Sequence, residues 1–246
     1  MSEDKSNIKN TAPLVLAVDS TAKVASAAVT RGEELLYTAT LDTGYTHSET
    51  LLPMIEGMLA ALRLNVRDIG VFACAAGPGS FTGVRIGAAT VKGLAFGTET
   101  PCAGVSSLEA LAYNMLGLEG VFCPSMDARR AQVYNALFRC RGGKIERITS
   151  DRAIGIKELA EELSAYTGEP LYLCGDAHDI LCAALPEYGI KPAQTPVLLR
   201  RQNAYSVALC AYKAYLSGDA VTGEGLKPVY LRMPQAERER LAKNNS

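Results

Sequence analysis

The chain has few of the residues that most site chemistry requires. Among 246 residues there are two histidines, His47 and His178, and neither has a second His or Cys at ligand spacing. A histidine-built metal site within one chain is therefore not expected. No G-x-S-x-G elbow occurs, and Gly79-Ser80 is flanked differently, so serine-hydrolase chemistry has no support. No Gly-Lys-Ser/Thr closes a Walker loop. The seven cysteines are odd in number, form no C-x-x-C pair and lie mostly in apolar runs. They read as buried thiols of a reducing compartment, not as a disulfide or zinc framework. The longest apolar stretch, near residues 71–76, is far below the ~20 residues of a membrane span. Residues 1–12 are polar and carry no basic-then-apolar leader, so the expected location is cytoplasmic. Basic charge is not in excess, with 25 Lys and Arg against 26 Asp and Glu. That argues against a protein that alone grips a nucleic-acid backbone.

What is present suffices for a packed core, since 48% of residues are hydrophobic and 21% charged. Residues 14–19, 24–30 and 34–40 read as three strands with a turn at Arg31-Gly32-Glu33. Leu51, Leu52, Ile55, Met58, Leu59 and Leu62 recur at helical spacing after a capping box at Thr46-His47-Ser48-Glu49. Pro53 fits best if that helix starts from Thr50, which leaves the proline in the first turn. A strand at 71–76, a helix at 84–96, a strand at 102–105 and a helix at 106–116 complete a βββ-α-β-α-β-α block. Further strands are expected at 122–128, 132–139, 145–150 and 171–174, and helices at 156–166, 179–185 and 205–217. The division is then a polar extension 1–13, a first α/β lobe 14–118, a second α/β lobe 119–234 and a polar tail 235–246. Each lobe should hold a mixed sheet with flanking helices.

The glycine loop Gly77-Pro78-Gly79-Ser80-Phe81-Thr82-Gly83 joins a strand to a helix, a place where free backbone N–H groups can bind phosphate. It misses G-x-G-x-x-G, because Thr82 stands at the third glycine and Gly83 comes one residue late. The plainer reading is a tight connection that lets the next helix pack closely. That helix carries Gly83, Gly87, Ala88, Gly93 and Gly97, a low surface suited to close approach. Asp19-Ser20-Thr21 could hold a metal-bound phosphate, but an Asx-type turn accounts for it more simply. Met126-Asp127-Ala128-Arg129-Arg130 reads as a hairpin stabilised by an Asp–Arg pair.

In order along the chain, residues 16–21, 47–53, 77–87, 92–95, 105–108 and 126–130 with Val133-Tyr134 closely resemble the TsaB family, formerly YeaZ. The likeness is strong from residue 14 to about 138. It thins to Cys174-Gly175-Asp176-Ala177 and Pro228-Val229-Tyr230-Leu231-Arg232. The resemblance implies a two-lobed fold of the actin, Hsp70 and sugar-kinase type. It also implies an accessory role in bacterial synthesis of tRNA threonylcarbamoyladenosine (t6A). There the paralogue TsaD transfers threonylcarbamoyl to N6 of adenosine 37 in tRNAs that read ANN codons, and the ATPase TsaE joins the assembly. Catalytic paralogues hold a metal with an HxxxH pair on the helix after the last strand of the first lobe; here those positions are Ser107 and Leu111. The first phosphate loop of the fold usually reads DxG, and here Asp19-Ser20-Thr21 has no glycine.

The expectation is therefore a non-catalytic partner of TsaD that carries no cofactor, with ATP and metal on partner subunits. Contact with tRNA should be indirect or weak, and a homodimer is possible in isolation. The partner surface is expected at Leu51, Leu52, Ile55, Met58, Leu59, Arg85, Gly87 and Ala88. Degenerate nucleotide loops are expected at Asp19, Ser20, Thr21, Gly77, Gly79, Ser80, Gly175 and Asp176. The rival is an ATP-dependent small-molecule kinase or ATPase of the same fold. A metallopeptidase is nearly removed by the histidine count.

Overall fold

The computed structural model of the chain describes residues 12–232. The tail at 235–246, and all of the extension at 1–13 but its last two residues, lie outside the described residues. The first lobe comprises β1 (Leu14–Asp19), β2 (Ala25–Arg31), β3 (Glu34–Leu41), α1 (His47–Leu62), β4 (Val71–Gly77), α2 (Phe81–Ala95), β5 (Cys102–Ser106) and α3 (Ser107–Tyr113). Its sheet runs in the order β3-β2-β1-β4-β5. The hairpin strands β1, β2 and β3 pair antiparallel, while β4 and β5 add in parallel to β1. Short connections allow the first kind of pairing, and the intervening helices allow the second.

Both faces of this sheet are buried at β1 and β4, which explains why these strands are apolar at every position but Asp19 and Gly77, while the edge strand β3 is exposed. Leu16, Val18, Phe72 and Cys74 face α1 and α2, whereas Val15, Ala17, Ala73 and Ala75 face the other way. The second lobe holds β6 (Gly120–Arg129), β7 (Gln132–Asn135), β8 (Phe138–Arg141), β9 (Lys144–Arg147), β10 (Arg152–Gly155), α4 (Ile156–Leu163), β11 (Leu171–Cys174) and α5 (His178–Ala184). The expected strand at 132–139 is present as β7 and β8, which follow β6 in one continuous antiparallel register. The break between them lies opposite Pro124, which has no N–H for the ladder. Asn135 covers the gap by donating from Nδ2 to the Pro124 carbonyl at 3.1 Å.

Two expectations need correction. Helix α1 begins at His47, with Thr46 as its N-cap, so Pro53 lies inside the helix rather than in a first turn from Thr50. Thr46 sets the start without the expected capping box: Glu49 N–H donates to its backbone carbonyl, and its Oγ1 donates to the Glu49 carboxylate at 2.7 Å. Pro53 is tolerated because it sits on the exposed side, where water can serve the Glu49 carbonyl it leaves without a donor. The second correction concerns the boundary. Helix α6 (Ala204–Leu216) lies in the stretch assigned to the second lobe, yet it packs on β1, β2, β4 and β5 of the first. Its Val207, Ala208 and Ala211 cover the face formed by Val15, Ala17, Ala73 and Ala75. Within residues 14–118, Ala110 of α3 covers part of that apolar face, and the chain returns to supply the rest. Leu226 follows and is buried in the same lobe beside Phe72 and Ala88.

Candidate functional site: the interlobe cleft and the exposed helix pair

A cavity of about 630 Å³ opens between the lobes, lined among others by Thr21, Gly79, Met126, Asp127, Asp176 and Tyr230. The structure brings the two candidate phosphate loops of the first lobe into direct contact. Ser80 N–H donates to the Thr21 carbonyl at 2.7 Å, and Ser20 Oγ donates to the Gly83 carbonyl at 2.8 Å. The glycines serve that approach: a Cβ at Gly83 would lie 1.9 Å from the Ser20 carbonyl oxygen, and one at Gly79 would lie 2.5 Å from that of Thr21. Gly87 is confined likewise, 2.8 Å from Ser20 Oγ. Three backbone donors that a phosphate could recruit, at Thr21, Ser80 and Gly83, are thus engaged within the chain. Ser80 Oγ takes the Gly83 N–H, and Asp19 Oδ1 takes the Thr21 N–H at 2.9 Å.

Asp19 forms the Asx-type turn that its sequence suggests, since Oδ1 also accepts from Thr21 Oγ1 at 2.7 Å. It is buried, and its Oδ2 has no hydrogen-bond partner among the described residues. Burial pushes its acid up to about 6, against the opposing pull of the Thr21 hydrogen bonds and of His47. His47 is placed by a 2.7 Å hydrogen bond from Nε2 to the Ala22 carbonyl, which ties the start of α1 to the same turn. From the second lobe, Asp176 Oδ1 accepts the Asp127 N–H at 3.0 Å. Gly175 has φ 95°, and a Cβ there would lie 2.0 Å from the Ser125 carbonyl oxygen. The hairpin cluster differs from expectation: Asp127 Oδ1 accepts the backbone N–H of Arg129 at 2.7 Å, not its guanidinium. Charge pairing is unnecessary there, because the backbone donor lies closer along the chain.

The expected partner surface divides in two. Leu51, Ile55, Met58, Leu59 and Ala88 are buried in the core of the first lobe, and Gly87 lies against β1 and β4. These six are corrected to core. The physical reason is that a helix lying on a sheet turns its main apolar stripe inward. Leu52 and Arg85 remain exposed, but Arg85 already has intrachain partners. Its Nε donates to Tyr230 Oη at 2.9 Å and its guanidinium lies 3.8 Å from the Phe81 ring centre. The outward side of the α1–α2 pair carries Leu52, Gly57, Ala60, Ala61, Ala89, Gly93 and, just past α2, Phe96, all exposed. A Cβ on Gly57 or Gly93 would meet nothing within 4 Å. Of this low surface, sequence reasoning named Leu52 and Gly93; it missed Gly57, Ala60, Ala61 and Ala89, whose exposure depends on which way the helices turn.

On α3, Leu111 packs with Phe122, Met126 and Phe138 between the lobes, and Ser107 is buried with no partner for its Oγ. No group of three or more His, Cys, Asp or Glu that could hold a metal occurs among the described residues. His178 Nδ1 lies 2.7 Å from Asp179 Oδ1, and His178 lines a second cavity with Lys23 and Val24. Six cysteines are buried, as expected, and Cys182 is exposed. No helix among the described residues is long and apolar enough to cross a membrane.

Residues 42–239 match the family model described as TsaD, tRNA N6-adenosine threonylcarbamoyltransferase. The tRNA threonylcarbamoyladenosine biosynthesis protein TsaB of Bacillus subtilis is 28% identical over 235 residues, covering 91% of this chain and 96% of the relative. The Escherichia coli protein of the same name is 30% identical over 188 residues, covering 76% and 80%. YeaZ from Pseudomonas aeruginosa superposes with a TM-score of 0.73 at 24% identity, over 89% of this chain and all of that one. The fold is that of YeaZ, and the chain belongs to the TsaB (YeaZ) family, within the wider group that the TsaD model describes.

Proposed function

We propose that this chain is a non-catalytic partner of TsaD in t6A synthesis. The observation that carries this reading is the start of α3. Where catalytic paralogues place two metal-binding histidines, this chain has Ser107 and Leu111, both enclosed in the packing between the lobes. A leucine cannot ligate a metal, and a serine hydroxyl is a poor ligand. The packed glycine loop supports a further element of the proposal, that the chain binds no nucleotide on its own. Its Ser80 and Gly83 N–H groups are spent on Thr21 and Ser80, and no Gly-Lys-Ser/Thr follows to hold a nucleotide's phosphates. The exposed α1–α2 face is the proposed docking surface for TsaD, with TsaE joining the larger assembly. The same face, meeting a second copy, would give a homodimer about a two-fold axis. The work is placed in the cytoplasm, where tRNA is modified.

The kinase or ATPase reading draws on the fold and on the cleft but finds neither a DxG turn nor a Walker-type lysine in the first-lobe loops. Depletion of this protein tests the proposal in the cell. The t6A content of bulk tRNA should fall on depletion and return on re-expression. Unchanged t6A after verified depletion would overturn the assignment to this modification.

A further inference from the structure

We propose that residues 227–232 act as a latch that holds the interlobe cleft shut along one side, and that the cleft opens when this segment lets go of the second lobe. The segment is fixed firmly at one end and lightly at the other. Upstream, Val221 exchanges backbone hydrogen bonds with Cys102 at 2.7 and 2.8 Å, and Leu226 is buried in the first lobe. Val229 N–H then donates to the Ala76 carbonyl at 2.7 Å, and its own carbonyl lies so near Gly77 that a Cβ there would meet it at 2.3 Å. Up to Val229, therefore, the chain is held by backbone and core.

Beyond that point the attachment changes kind. Among the described residues, 230–232 make no backbone hydrogen bond to either lobe. The Tyr230 ring rests on Phe81 with centroids 5.0 Å apart, and its hydroxyl accepts from Arg85 Nε at 2.9 Å. Arg232 reaches across to the second lobe and donates from Nη1 to the Ala128 carbonyl at 2.8 Å. Tyr230 and Val229 stay partly exposed, at 42% and 49%. Side-chain contacts at a surface are readily broken and remade, so the far end can release while the near end stays seated.

What the latch grips is itself unusual. Ala128 precedes Arg129, Arg130 and Ala131, whose φ angles are 61°, 57° and 53°. Three consecutive non-glycine residues in the left-handed region form a conformation that L residues rarely adopt. Such a hairpin tip needs support from outside, and Arg232 supplies one bond to it. Residues 229–232 also line the cavity whose other walls include Gly79, Met126, Asp127 and Asp176. Releasing them would free the tip and open that wall together. A separate tie between the lobes would remain. Arg147 of β9 pairs with Glu109 of α3 at 2.9 Å, and Asp151 accepts from Ser106 Oγ at 2.5 Å. None of these residues lines the cleft. The latch thus governs access, while this second tie keeps the lobes joined.

Amide hydrogen exchange on the full-length protein tests the proposal. The variant carrying both Tyr230→Ala and Arg232→Ala should exchange about tenfold faster at residues 126–132 and 77–82. Strands β1 and β4 and helix α6 should keep wild-type protection. Arg232→Ala alone, which removes the bond to Ala128 and leaves Tyr230 on Phe81, should speed the same two loops and serves if the double variant does not fold. Wild-type exchange at both loops would show that the segment merely rests on the surface. Faster exchange throughout the chain would show that it supports the fold instead. Either result overturns the latch.

Discussion

Leu52→Arg and Gly93→Arg should each weaken capture of TsaD by roughly thirtyfold or more, the effect of losing about 2 kcal/mol at the centre of an interface. Both positions are exposed, and an added side chain at Gly93 meets nothing within 4 Å. Each substitution should therefore leave stability within about 0.5 kcal/mol of wild type, as surface changes usually do. The expected effect on docking is large because of how the face is built. Gly57, Ala60, Ala61, Ala89 and Gly93 keep the two helices low, so another helix pair can approach to an interaxial distance of ~8–10 Å. An arginine there holds the partner off and must lose water without a counter-charge. Ile55→Glu makes the contrast. It buries a charge in the first-lobe core and should unfold the chain rather than merely release a partner. Thermal melting and co-purification on the same variants separate the cases. Normal melting with wild-type capture of TsaD by both arginine variants would remove the docking face from α1 and α2.

Asp19→Asn should make the protein more stable than wild type at neutral pH and should flatten part of its pH dependence. Burial raises the folded-state acid of Asp19 to about 6, from an ordinary carboxylate value of 3.8. Folding then favours the protonated form. The stability associated with that proton is fully present below pH 3.8 and is lost as pH rises through 6. The whole loss is about 3 kcal/mol, because each tenfold difference in acidity between the folded and unfolded chain is worth about 1.4 kcal/mol. Asparagine retains an acceptor for both Thr21 donors and carries no charge to bury. Urea unfolding at about pH 3 and about pH 7.5, on either side of that window, checks this. The variant's advantage should appear only at the higher pH. An equal difference between the two proteins at both values would mean that Asp19 does not titrate on unfolding.

Much of the fold was legible residue by residue, and the failures have physical causes. The strands and helices of the first lobe followed from period and caps, because β1 and β4 are continuous apolar runs and α2 follows a glycine turn. Helix α6 could be read as a helix but not assigned to a lobe. Nothing in its own sequence says that its small residues cover β1 and β4, far earlier in the chain. The partner surface was misjudged for a related reason. Leu51, Ile55, Met58 and Leu59 form one stripe that a sheet beneath fully buries, so their apolar character was core and not surplus. The useful signal lay in residues with little hydrophobicity, Gly57 and Gly93, whose exposure depends on which way the helices turn. Asp19-Ser20-Thr21 and Gly77–Gly83 were each visible as loops, while their mutual contact required the parallel pairing of β1 with β4.

The central claim is that this chain supports a transferase without being one. The most direct measurement is threonylcarbamoyl transfer from threonylcarbamoyl-adenylate to tRNA, assayed with the purified chain, with TsaD, and with both. The chain alone should yield no t6A at any concentration, and adding it to TsaD should raise the yield. Modified tRNA formed by the chain in the absence of TsaD would contradict the account.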